Sequence, residues 1–560
     1  MKTNVFFKSA FVVSSLMMMV GCSQENVTEQ VENNLCTMMV NVTESGFSTM
    51  NDDSRVVTSD DYKTSFEDND QIGLFIVENE TGKLLKNMAL TKNGSNWDGT
   101  VYYYDNADYI AYYPYDAQLK EVTSVADIEK YFSDNKYTDD QSTEENYRNC
   151  DLMTAVVEAE NLTETSPLNL NFTHNNALVE FNIPYYSYST EADGAGYKYS
   201  VPVDLSLELT KGGETTAVED FKPYQVAVGK YRVIVPVGES LAFSGKFTDA
   251  KLNKPVYVNA EIKDGLAKNA GMVYDVTYAN SPTVGTIEQR TIQPGDYYYA
   301  DGNIVPNDFT AVPEENCIGV VFATTTKGET ALDGTTACNN GYVMALVDAT
   351  GNTDKVTSWA YYWGQNNTSI TGLYVTDNST DNTSLSAVIT DDSKSGFYNT
   401  DLIVKSGNYA GGNAYIQHAV TTFGQEGYFT SNYKAPEFTS GWFIPSAAQL
   451  VTLIKNLGAN ESGYFSYDGS NYNVTDYNGT QKIWFNDVVE RLNTKLKVVG
   501  GSFEMNKGFM TVSVASDFKE SPNVPLYLNH SSSNSKADFN VVNLTESEGN
   551  KKNVRLILAF

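Results

Sequence analysis

Three histidines, His174, His418 and His530, lie far apart along 560 residues, a spacing unlike that of a zinc-ligand set. No G-x-S-x-G, H-E-x-x-H, P-loop or dinucleotide glycine signature occurs anywhere. The residues therefore predict no cofactor, no metal and no enzyme. Two other kinds of chemistry remain. The first is proteolysis at Arg55. No Lys or Arg occurs between Lys8 and Arg55, and Arg55 follows a polar turn, Asn51 to Ser54. A protease reading basic side chains would cut there and leave Val56 as the new N-terminus; the alternative is an ordinary arginine in a linker. The second is glycan recognition, which combines an aromatic platform with convergent amides and carboxylates. Trp359, Trp363, Asn366 and Asp377 lie in such a stretch, although aromatics there also serve simply to fill a core.

The cysteines divide by position. Lys2 and Lys8 precede an apolar run, Ala10 to Val20, that is too short to span a bilayer and reads as a signal peptide over residues 1–21. Its end, Met19-Val20-Gly21-Cys22, resembles a bacterial lipobox, which implies acylation of Cys22 and attachment to outer-membrane lipid. Acyl chains contribute about 0.8 kcal/mol per buried CH₂, enough for durable anchoring when several share one cysteine. Ser23 is not the aspartate that retains lipoproteins at the inner membrane. Glu25, Glu29 and Glu32 resemble the export signal of Bacteroidetes surface lipoproteins. Cys36, Cys150, Cys317 and Cys338 remain. Cys317 and Cys338, on neighbouring predicted strands, could form a disulfide in an oxidising compartment or stay as two buried thiols.

The 70 acidic and 38 basic residues give a net charge of -32. That field repels phosphate backbones, so nucleic acid is not an expected partner. With 38 tyrosines and polar loops, the composition suits sheets facing water. Residues 22–35 read as a polar tether. Met38, Val40 and Val42 then alternate with polar neighbours as a half-buried strand. Further strands are expected at Gln71 to Val77, Val101 to Tyr104, Tyr109 to Tyr113, Leu168 to Phe172 and Ala177 to Ile183, giving a first β domain over 36–185. Leu205, Leu207 and Leu209 open a second over 198–280, with strands at Tyr231 to Val237, Val256 to Ile262 and Met272 to Tyr278. Residues 288–560 read as α+β. Strands are expected at Ile318 to Ala323 and Tyr342 to Val347. Ser446 and Gln449 supply a capping box before a helix stopped by Gly458. A second helix ends at Gly500-Gly501, and a central strand closes the chain at Val554 to Phe560.

Five stretches in order resemble the fimbrillin family, the type V pilus subunits of Bacteroidales: Ser54-Arg55, Phe66 to Phe75, Tyr109 to Pro114, Asn171 to Val179 and Tyr274 to Thr277. The resemblance implies two tandem β-sandwich-like, transthyretin-like domains. It also implies maturation after Arg55 and joining to other pilus subunits by strand exchange. Gly295 to Tyr299, Asn316 to Phe322, Gly341 to Leu346 and Gly441 to Ser446 resemble a C-type-lectin-like domain. Together these suggest a tip or accessory subunit of a surface fimbrium that presents a lectin-like domain to a glycan or host-surface ligand. The rival reading is a lipid-retained glycan-binding protein of a polysaccharide uptake system.

Overall fold

The computed structural model describes residues 36–49, 65–213, 216–218, 220–349, 373, 396–406, 416–458, 464–467, 472–475, 485–503, 508–515, 524–531, 536–541 and 552–560. The chain forms two compact units. The first holds residues up to Ser45, with Thr64–Glu129 and Met153–Thr173. Its seven-stranded sheet runs in the order Val40–Glu44, Leu168–His174, Met153–Val157, Ala107–Tyr113, Gln71–Glu78, Leu84–Asn93 and Asn96–Asp98. Period-two patterning explains the second of these strands. Leu168, Leu170 and Phe172 are buried while Asn169, Asn171 and Thr173 face water. Ile72, Leu74, Ile76, Tyr109, Ala111 and Met153 complete the core.

Among the described residues, the second unit contains two large cores and a small cluster around Phe47. The earlier large core lies between a five-stranded and a three-stranded sheet. The five-stranded sheet has the order Tyr224–Ala227, Lys230–Val235, Ala177–Asn182, Ala270–Asp275 and Ser48–Thr49. The three-stranded sheet has the order Ser206–Lys211, Leu241–Asp249 and Lys254–Ile262. Val179, Phe181 and Val233 meet Leu207, Phe243 and Val258 between the sheets, which is sandwich packing.

The later core joins helices and sheets. One sheet has the order Ile304–Val305, Tyr297–Tyr299, Cys317–Ala323, Tyr342–Ala345 and Ile557–Ala559. Against its core pack Ile403, Ile416, Leu450, Leu453 and Leu492 from four helices. The expected capping box is realised: Ser446 Oγ accepts from Gln449 N, and the Gln449 side chain accepts from Ser446 N. The helix passes into a π turn that ends at Gly458. Arg555 is fully buried, with Nε 2.6 Å from Asp348 Oδ1 and its guanidinium donating to Ala345 O and Ser502 O.

Four expectations are corrected. Ala177–Asn182 belongs to the second sandwich, hydrogen-bonded between Lys230–Val235 and Ala270–Asp275, so the boundary falls at Thr173/His174 rather than near residue 185. The long Leu168-to-Phe181 pattern hides it, because both strands are apolar on their inner faces. Val101 to Tyr104 is not a strand; only Tyr102 makes a bridge, to Thr37. The closing strand is not central. It lies at the end of its ladder, and its far side is closed by Phe443, which exchanges backbone hydrogen bonds with Ile557 at 2.8 and 2.9 Å. Cys317 and Cys338 do not sit on paired strands, because Ala337–Cys338 belongs to a separate two-stranded sheet with Glu329–Thr330.

Candidate functional site

The opening segment is built into sheet edges in both units. In the first, Val40–Glu44 runs parallel to Leu168–His174, with Val40 opposite Leu168 and Glu44 opposite Phe172. Among the described strands it pairs with no other. Backbone bonds anchor it at each end. Leu168 N donates to Met39 O at 2.8 Å and Ser45 N to Phe172 O at 3.0 Å. Upstream, Met38 N donates to Val101 O and Tyr103 N to Cys36 O, both at 2.8 Å. The inner face carries buried Met38 and half-buried Val40 and Val42 onto the core of Leu168, Leu170 and Phe172. The outer face carries an amide ladder: Asn41 Nδ2 donates to Asn169 Oδ1 at 2.8 Å, and Thr43 Oγ1 to Asn171 Oδ1 at 2.6 Å. Burying a side chain such as Met38 contributes roughly 1.5–3 kcal/mol. Each ladder bond adds about 0.5–1.5 kcal/mol net.

In the second unit, Ser48–Thr49 pairs parallel with Ala270 and Gly271. Ser48 N donates to Asn269 O at 2.7 Å. The Phe47 ring is buried flat on His174, with centroids 3.6 Å apart and planes 19° from parallel. Cys150, Leu178 and Ile234 wall it, with half-buried Tyr137 and Tyr147 beside them. His174 Nδ1 lies 2.6 Å from Asp151 Oδ1, which orients the imidazole. Asp151 is placed by the helix Glu144–Cys150, whose N-terminus is capped by Thr143 Oγ1 accepting from Asn146 N. Burial pushes the Cys150 thiol up to about 11, so it is a protonated wall and not a nucleophile.

Of the residues singled out by sequence, Cys22, Arg55, Val56, Trp359, Trp363, Asn366 and Asp377 lie outside the described residues. The strand expected at Met38, Val40 and Val42 sits in the first unit's sheet. Cys317 and Cys338 are both free thiols. Cys317 Sγ donates to Tyr298 O and Gly319 O, and Cys338 Sγ to Phe438 O. Sequence reasoning missed Phe47 and Asn269. A large aromatic held between Gly46 and Ser48, directly after an alternating strand, was the available sign of the first. Asn269 gives little sign in sequence, because its role comes from a left-handed backbone, φ 62°.

Residues 54–294 match the family model described as Fimbrillin-like. The chain carries a fimbrillin-like domain. A Bacteroides ovatus protein named as a candidate fimbrium tip subunit, Fim1C, is 26% identical over 501 residues, covering 81% of this chain and 87% of that protein. A crystal structure of a fimbrial protein from Bacteroides ovatus aligns over 94% of this chain and 100% of its own, with a TM-score of 0.50 and 19% identity, and so shares the fold. The fimbrillin-like match takes in the first unit's sheet from Gln71 through Leu168–His174 and the sandwich core of the second unit, and leaves Val40–Glu44 outside it, starting immediately before Arg55. Among the described residues, no helix is long and apolar enough to cross a membrane, and no cluster of His, Cys, Asp and Glu could hold a metal ion.

Proposed function

We propose that this chain is a subunit of a cell-surface fimbrium, at or near its tip, joined to its neighbour by strand exchange. The observation that carries the reading is the Val40–Glu44 strand, which among the described strands pairs on one side only and inserts Met38, Val40 and Val42 into the first unit's core. In the proposed route the chain is exported with Cys22 acylated, and water is added across the Arg55–Val56 peptide bond. The segment before it then leaves. Its departure bares the backbone groups of Leu168 and Phe172 that now bond Met39 and Ser45, an unpaired edge that a strand from another subunit fills. The family match beginning beside Arg55 supports this, as does the name of the Bacteroides ovatus relative.

The pairing of the Ile557–Ala559 strand supports a position near the tip. Ile557–Ala559 is hydrogen-bonded to Tyr342–Ala345 on one side and to Phe443 on the other, within its own sheet. It is therefore committed at home rather than free to complete a neighbour. Residues 288–560 are the presented part, a lectin-like domain meeting a glycan or host-surface ligand, with Trp359, Trp363, Asn366 and Asp377 its contact residues. Replacing Arg55 by Ala tests the reading in cells. The expected outcome is a chain that reaches the surface, stays uncut and is missing from sheared fimbriae. Normal incorporation of the Arg55→Ala chain would overturn it.

A further inference from the structure

His174 lies just beyond the residues paired with Val40–Glu44, and the structure gives it a specific neighbour. That neighbour, Phe47, belongs to the segment proposed to leave. The described residues that hold Phe47 lie in the second unit. His174 supplies a flat floor, 3.6 Å below the ring, fixed from behind by Asp151. Leu178 and Ile234 reach it from the face of their sheet opposite the sandwich core, and Cys150 comes from the capped helix. Gly271 permits the approach: a Cβ there would come 3.3 Å from Phe47 Cβ.

Around this aromatic seat, Asn269 reads the backbone on either side. Its carbonyl accepts from Ser48 N at 2.7 Å, and its Nδ2 donates to Gly46 O at 3.4 Å and to Ser48 Oγ at 3.3 Å. Its Oδ1 accepts from His174 N at 3.4 Å, which ties the backbone reader to the ring floor. Asn269 N donates to Asn176 O at 3.1 Å, which helps hold the residue in its left-handed conformation. Emptying the seat would leave the half-buried Asn269 without its partners on the segment and open an apolar cavity, and the cavity is costly. The vacated seat therefore demands an occupant with the same features: an extended backbone and one large flat side chain.

We propose that the Phe47 seat is a register-setting subsite for the neighbouring fimbrial subunit. It takes an aromatic residue flanked by small residues, on a strand running parallel to Ala270–Asp275. The inference rests on the strand-exchange reading and adds to it which side chain of the incoming strand is selected. Strand pairing alone tolerates sliding in steps of two residues. One aromatic that fits one seat fixes a single alignment.

The test co-expresses residues 56–560 with two competing tagged segments spanning 23–51, one native and one carrying Phe47→Ala, so that the acceptor is never empty. Mass spectrometry of the captured complex reads their ratio. The native segment is expected to win by about tenfold or more, as loss of a buried ring requires. Phe47→Tyr and Phe47→Trp should compete within several-fold, with Phe47→Leu between them and Ala. Met39→Ala removes a side chain that is 68% exposed and should leave the ratio near one. Equal capture of the native and Phe47→Ala segments would overturn the subsite while leaving strand exchange standing. Capture of no segment at all would overturn both.

Discussion

Phe47 and His174 form a stacked pair in which each ring covers the other's face. Aromatic pairs of this kind add to simple area burial, and truncating a buried Phe to Ala costs about 3–5 kcal/mol. In the uncut chain, Phe47→Ala should therefore lower the urea midpoint of the second unit clearly. Met39→Ala, on the exposed side of the same segment, should leave it within error. Equal midpoints would mean that the seat collapses around the missing ring. The thiols make a second prediction. Cys36 is exposed, whereas Cys150, Cys317 and Cys338 are buried and free. Burial pushes Cys317 up to about 12 and Cys150 and Cys338 up to about 11, from an ordinary value of 9.0. Because the folded values are raised, stability is full below pH 9 and declines as pH rises through 11 to 12. With Cys22 acylated, alkylation of the folded uncut chain at neutral pH should mark Cys36 alone, and denatured protein should yield the four remaining thiols. A mass corresponding to a Cys317–Cys338 bridge would contradict this.

Buried charge ties the elements together. Asp296 is fully buried and accepts from Arg290 through Nη1 at 2.8 Å and Nη2 at 2.9 Å, and from the backbone of Gln293 and Asn307 at 2.8 and 2.9 Å. The Arg290 Nη1 also donates to Tyr199 Oη at 3.0 Å. One carboxylate thus fixes the strand Tyr297–Tyr299 against the chain that enters it. Asp296→Ala leaves the half-buried Arg290 guanidinium without its principal acceptor, a change that should cost up to about 3 kcal/mol, at the low end for a broken buried pair. Thermal unfolding should show that loss, and an unchanged midpoint would refute the role. The same elements show what a sequence reveals. Leu168 to Phe172 alternates cleanly, and its strand was legible. Leu241–Asp249 was not, because Gly245 interrupts its apolar face where a Cβ would come 2.3 Å from Ser206 O, and Asp249 buries a charge at an inner position. Asp249 is satisfied by Tyr278 Oη at 2.7 Å and Tyr186 Oη at 3.2 Å, partners that only the fold brings together.

At the scale of the whole molecule, the mainly β architecture was legible from periodicity. The boundary between the two units was not. Two strands with apolar inner faces follow each other through His174, Asn175 and Asn176, and nothing local says that the second joins another sheet. The candidate site was half legible: the alternating Met38, Val40 and Val42 marked the strand, while the seat for Phe47 is assembled from residues 150, 174, 178, 234 and 269. Strand replacement requires the opening segment to leave, and N-terminal sequencing of fimbriae sheared from cells shows whether it does. The expected result is a mature end at Val56. Assembled protein that still begins at an acylated Cys22 would contradict it.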